Sequence, residues 1–311
     1  MKYKKVILIP PYILCGDCFS VLSLVYYLLE YYEQVYLYIG QVPSEVSKST
    51  IDSVTKYIEH FFLHDPLFNN KIQIIDSDKY YDLVNSGGYG DYHVCNTLTN
   101  YWSEPSGFLK ELGNINKEFY FNDENPITNK LNIPKEHICS PNKHLPIQEL
   151  SINHIIYYEL IGLNNKVRMD YFNYIRNIEY ELEVKKNILN SYNILDGNYN
   201  IVNDPNKKSD NLIPYIKNSY PSINIDYLSD NPCHLITLLE GAKSINFIEG
   251  SNVNFFYHAQ YKGIFKYSGD INFHIWLRNR DWSSINLDYA WKMMSMPKLD
   301  NWKFIFTPTE I

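Results

Sequence analysis

Hydrophobic positions along the first hundred residues change period in a regular way. The run KVILIP from Lys5 is short and rich in β-branched residues, as a buried strand requires. From Phe19 to Tyr32 the apolar positions recur at helical spacing, and QVYLYIG from Gln34 returns to a strand-like run. Strand, helix and strand within about 40 residues make a βαβ unit. The alternation continues: SEVSKSTIDSVTKYIEHFF, with Ser44 as its N-cap, predicts a helix, KIQII a strand, KYYDLV a short helix and YHVCN a strand. Such a pattern predicts an α/β lobe on a largely parallel sheet.

Strand signals then stop. IQELSINHIIYYELIGL and YFNYIRNIEYELEVKKNILNSY read as amphipathic helices on either side of NNKVRMD. Alternation resumes near Asn198, with strands at YNIVND, SINIDYLS, SINFIEG and GIFKYS, and helices at LIPYIKNSY, HLITLLEGA and NVNFFYHAQYKG. In the tail, LDYAWKMMSM predicts a helix, and the apolar NWKFIF is expected to pack back on the first lobe. The expected organisation is an N-terminal Rossmann-like domain over 1–165, a helical connection over 166–197 and a C-terminal Rossmann-like domain over 198–311, the two domains facing a cleft.

The totals agree with this reading. A chain of 311 residues suits two domains of about 150 each. With 45% hydrophobic and 20% charged residues the composition is that of a globular protein, and no stretch approaches the roughly 18–20 apolar residues of a membrane span. The basic and apolar opening MKYKKVILIP imitates a signal peptide, but the run stops at Pro10-Pro11 without a small-residue cleavage site. Five cysteines, an odd number, predict reduced thiols and a cytoplasmic location, the host cytoplasm if the chain is viral. A formal charge of −7 argues against nucleic acid as partner. The 29 tyrosines, beside many Asn, Lys and Ile, reflect an AT-rich genome, so aromatic clusters carry little weight as stacking platforms.

Candidate chemistry sits after the strands. Cys15-Gly16-Asp17-Cys18 has the outline of a thioredoxin-type CxxC motif at a helix start, which suggests a thiol-disulfide oxidoreductase. An ionised Asp17 beside Cys18 opposes thiolate formation, and the chain far exceeds a thioredoxin domain, so this reading ranks third. In an open α/β sheet ligands bind at the carboxyl ends of strands, and there Asp17 is a candidate general base, with Gly16 turning the chain; a plain N-cap Asp is the alternative. In the second domain INFIEGSNVNFF repeats this grammar, Glu249, Gly250 and Ser251 leading into a helix whose free amides suit a phosphate. Upstream, IVNDPNKK ends a strand and supplies Lys207 and Lys208 for a diphosphate. An ordinary turn capped by Ser251 and solvated lysines are the plain alternatives. The histidines at 60, 64, 93, 137 and 144 lack the spacing of a zinc site, and no metal is expected. SGGYGDYH from Ser86 matches no phosphate-loop spacing and is read as a flexible loop.

Taken together, these segments resemble GT-B glycosyltransferases of the heptosyltransferase-like kind. The opening ILIPPYILCGDCFSVLSLVYYLLEYYEQVYLYI is similar to the start of that group. YYELIGLNNKVRMDYFNYIRNIEYE, YNIVNDPNKK, HLITLLEGAKSINFIEGSNVNFF and INFHIWLR resemble, in order, segments of a divergent and poorly characterised branch. The resemblance implies metal-independent transfer of a sugar from a nucleotide-sugar donor to a glycan or other hydroxyl acceptor, with no tightly bound cofactor. By position it implies Asp17 as base and Asn203, Asp204, Lys207, Lys208, Glu240, Glu249, Gly250, Ser251 and Asn252 around the donor. It puts Gly16, His274 and Arg278 at the cleft.

The chain departs from the branch where Asn203 replaces a His, Lys207 or Lys208 an Arg, and Glu249-Gly250-Ser251 a DSS triplet. Lysine does not reproduce the bidentate charge stabilisation of arginine. The second functional expectation is therefore a non-catalytic GT-B-fold protein that binds a glycan or a partner protein.

Overall fold

The structure, a computed structural model, describes residues 3–9, 15–39, 48–85, 92–96, 163, 166–203, 216–228, 231–248, 251–276 and 297–307. The chain divides into two units, Met1–Tyr174 and Ile175–Ile311. Both are α/β with parallel strands.

In the first unit β1 (Tyr3–Ile9), α1 (Cys15–Leu28), β2 (Tyr32–Tyr38), α2 (Lys48–Phe62), β3 (Ile72–Ile75), α3 (Ser77–Asn85) and β4 (Tyr92–Asn96) follow the predicted alternation. The strands pair in the order β3-β2-β1-β4, and Val6 lies opposite Val35 on one side and His93 on the other. Val6, Ile7 and Leu8 are consecutive and all buried, as are Val35 to Tyr38. Burial without alternation means that both sheet faces are covered, which is why these strands read as continuous apolar runs. Helix α1 buries Leu22, Leu24, Val25, Tyr27 and Leu28, and Ser23 Oγ donates to the carbonyl of Arg168 at 2.6 Å. That contact ties α1 to α4 (Lys166–Asp170). Tyrosines serve as core residues here: Tyr27, Tyr32, Tyr38 and Tyr80 are fully buried, Tyr38 and Tyr80 meeting edge to face at 5.2 Å.

The segment expected as one helix from Tyr171 splits in two. Residues 172–177 take no regular secondary structure, and Phe172 and Tyr174 are buried while Asn173 between them is exposed. Both rings pack on Phe61. Asn177 then accepts from the Tyr180 amide and caps α5 (Ile178–Tyr192), which ends on Asn193 in the left-handed conformation at φ 53°. The helical connection expected over 166–197 is thus shared between the units, α4 belonging to the first and α5 to the second.

The second unit runs β5 (Asn200–Asn203), β6 (Ser222–Asn224), a 3-10 turn (Ile225–Tyr227), α6 (Ile236–Glu240), β7 (Ser244–Ile248), α7 (Ser251–Tyr261), β8 (Ile271–Trp276) and β9 (Trp302–Thr307). Its sheet order is β6-β5-β7-β8-β9. One face carries Phe247, Phe273, Trp302 and Phe304 against α7, where Phe256 stacks on Phe247 at 5.6 Å and Tyr257 meets Trp302 at 4.7 Å. The opposite face carries a buried polar ladder: Ser244 Oγ donates to Asn200 Oδ1 at 2.7 Å, and Asn272 Nδ2 to Asn246 Oδ1 at 3.0 Å.

Two expectations are corrected. GIFKYS is not a strand: Gly263 at φ 67° closes α7, its amide reaching back to Gln260, and the strand follows at Ile271–Trp276. The apolar NWKFIF, expected as a packing segment, is β9, the parallel edge strand of the second sheet, with Phe273 opposite Phe304. The Ser44 cap, the loop at 86–91, the helix expected over 147–163 save for Leu163, and the helix in LDYAWKMMSM lie outside the described residues, as do residues 212–215 of LIPYIKNSY, whose remaining residues 216–220 are described and form no helix. Among the described residues no helix is long and apolar enough to cross a membrane.

Candidate functional site

Strand order locates the places where a parallel sheet can receive a ligand. Where connections from two neighbouring strands leave in opposite directions, their carboxyl ends open a crevice. In the first sheet that point lies between β1 and β4, and in the second between β5 and β7. The chain leaving β1 leads to α1, whose first turn is Cys15-Gly16-Asp17-Cys18. Gly16 therefore lies within the helix rather than at a turn before it, and Asp17 stands in the first helical turn rather than ahead of it as an N-cap. A carboxylate in that turn is favoured by the helix dipole.

At the second point three described residues come together. Asn203, the last residue of β5, is buried and donates Nδ2 to Asp226 Oδ2 at 2.5 Å. Asp226 stands in the 3-10 turn just beyond β6, where its amide donates to Asn224 Oδ1 at 3.1 Å. Asn252, on the first turn of α7, donates Nδ2 to Asp226 Oδ1 at 3.4 Å. Asn203 Oδ1 is buried without a partner among the described residues. Ser251 opens α7 beside them. Asp204, Lys207, Lys208, Glu249, Gly250 and Arg278 lie outside the described residues.

Two expected residues do not join this group. Glu240 ends α6 just before β7 begins, so it stands at the amino end of the sheet. Both its carboxylate oxygens accept from Arg176, at 2.9 and 3.0 Å, and Oε1 also accepts the Lys266 amide at 2.7 Å. Arg176 binds Glu181 as well, Nη2 donating to Oε2 at 2.6 Å, and Nη1 donates to the Ile264 carbonyl at 2.9 Å. Burial disfavours the charge on Arg176, yet the hydrogen bonds to Glu181 and Glu240 outweigh it and raise its pKa above the ordinary value. Glu240 is thus part of a clasp at the amino end of the sheet.

His274 sits opposite Ile248, on the face away from Asn203, which pairs with Phe247. It is fully buried, and its Nε2 lies 3.4 Å from Asn246 Oδ1. Desolvation lowers its pKa to about 4, so the ring is neutral at physiological pH.

Asp226 and Arg176 were missed in the sequence. The signal for Asp226 was present, an acidic residue just past the second strand of the unit, 23 residues beyond Asn203. Cys95 and Cys233 are buried free thiols, and burial pushes Cys95 up to about 12, which makes it inert at neutral pH. Among the described residues no three His, Cys, Asp or Glu side chains cluster as metal ligands. A scan against protein-family models and searches of curated proteins and of solved structures found no match to this chain.

Proposed function

We propose that the chain is a GT-B-type glycosyltransferase that moves a sugar from a nucleotide-sugar donor to a hydroxyl acceptor without a metal. The observation that carries this reading is the coincidence of two independent lines. The segments that resemble the heptosyltransferase-like group, Cys15–Cys18, Asn203–Lys208 and Glu249–Asn252, adjoin the carboxyl ends of β1, β5 and β7, the strands beside which the two sheet orders reverse.

In this reading Asp17 takes the proton of the acceptor hydroxyl as its oxygen bonds to the anomeric carbon and the bond to the diphosphate breaks. The leaving diphosphate is met by Lys207 and Lys208 and by the free amides at the start of α7. Glu240 and His274 take no part.

The test is a thermal-shift panel of nucleoside diphosphates and nucleotide sugars, followed by a transfer assay with the donor that binds. A rise in melting temperature through linkage is expected, with Asp17→Asn lowering transfer by at least about 100-fold while donor binding persists. Donor binding without transfer in the wild-type chain would favour the non-catalytic glycan- or protein-binding reading. No shift with any nucleotide at millimolar concentration would remove the proposal.

A further inference from the structure

Two hydrogen-bond acceptors meet at the end of β5. Asn203 is 2% exposed, and its Nδ2 is donated to Asp226 Oδ2 at 2.5 Å. That bond fixes the amide orientation, because the flipped amide would set oxygen against oxygen. Oδ1 is then left as a buried acceptor without a partner among the described residues. Buried acceptors of this kind are completed by a water, an ion or a ligand. Beside it the Asp226 carboxylate is held by the Asn224 turn and by Asn252 at 3.4 Å.

The chemistry of the pair selects its ligand. A phosphate offers oxygens to oxygens and repels the carboxylate. A cation finds one carboxylate, and no acidic, His or Cys cluster among the described residues supplies more. A ligand with two adjacent O–H donors satisfies both acceptors at once. The location agrees, since an acidic residue at the end of the second strand, about 20 residues past the first, is where dinucleotide folds bind a ribose hydroxyl.

We infer that Asp226 and Asn203 form a subsite for the ribose diol of a nucleotide, one hydroxyl donating to the Asp226 carboxylate and its neighbour to Asn203 Oδ1. The inference rests on the second unit being the nucleotide-sugar domain. The full chain is titrated with UDP, GDP, ADP and CDP and with their 2′-deoxy and 3′-deoxy counterparts, using saturation-transfer NMR and calorimetry. At least one ribonucleotide is expected to bind about 10- to 100-fold more tightly than its deoxy forms, the range for a lost hydrogen bond to a charged group. Asp226→Asn, or Asp226→Ser if the first variant does not fold, is expected to diminish the preference at the hydroxyl that meets residue 226 while leaving weak diphosphate binding. Equal binding of ribo and deoxy forms by the wild-type chain, or an undiminished preference in the variant, overturns the subsite. If no nucleotide binds but ribose 5-phosphate does so in an Asp226-dependent way, the glycosyltransferase reading fails and the diol subsite stands. If no diol-bearing probe binds, the subsite falls as well.

Discussion

The second unit holds two polar clusters at opposite ends of one sheet, and they are built on opposite principles. At the end where β7 and β8 begin, Arg176 directs its guanidinium at Glu181, Glu240, Thr237 and the Ile264 carbonyl, with separations of 2.6 to 3.2 Å. Nε and both terminal nitrogens are engaged. At the end where β5 finishes, Asn203 spends one amide atom on Asp226 and keeps the other, buried, without a partner among the described residues. A saturated cluster fastens segments together. An unsaturated one at a sheet's carboxyl edge is where a ligand's own groups complete the set.

The sharpest way to break this contrast is Arg176→Ala. Glu181 is 1% exposed, and without its partner it becomes an uncompensated buried charge. Losing one member of a buried pair costs about 3–5 kcal/mol, a large part of a domain's stability. Urea denaturation followed by circular dichroism is expected to show that loss. A change below about 1 kcal/mol would mean that the cluster fastens nothing.

His274 tests the sheet's polar face between these extremes, because it is partnered yet wholly desolvated. Its folded pKa of about 4 lies below the unfolded value of about 6.5. Between those values the unfolded chain binds a proton that the folded chain refuses, so stability falls as the pH drops from about 6.5 towards 4. The full loss is about 3 kcal/mol. Melting curves across that window should flatten in His274→Asn, whereas an unchanged slope would show that the imidazole is not held neutral.

The same contrast explains what could be read from sequence. Period and turn chemistry gave the alternation of strands and helices in both units, because Val6–Leu8 and Val35–Tyr38 are continuous apolar runs and Phe247, Phe273 and Trp302 supply a full sheet face. They failed at GIFKYS, where Phe265 and Tyr267 are buried as a strand would bury them but follow the left-handed Gly263. Placement was legible where sequence position fixes sheet position, as for Asn203 at the end of β5 and Asn252 at the start of α7. Glu240 looked available because its partners Arg176 and Lys266 are 64 and 26 residues away. No local pattern carries such pairing.

Glu240→Gln sharpens the assignment at the clasp. Glu240 is less buried than Glu181, and a glutamine oxygen still accepts from Arg176. The expected cost is about 1 kcal/mol, with nucleotide affinity unchanged. An affinity loss of tenfold or more with full stability would return Glu240 to the donor site and erase the distinction between the two clusters.

The smallest stability effect belongs to Asp226→Asn. The replacement keeps an oxygen to accept from Asn203 Nδ2. Nothing in the clasp is touched, and the change in unfolding free energy is expected to stay within about 0.5 kcal/mol of zero, or to favour the folded chain. That outcome paired with diminished ribose discrimination is what separates a binding group from a structural one. A loss of 2 kcal/mol or more would instead make Asp226 a second fastening point, joining β5, β6 and α7 as Arg176 joins α5 and α6, and the two ends of the sheet would no longer differ in kind.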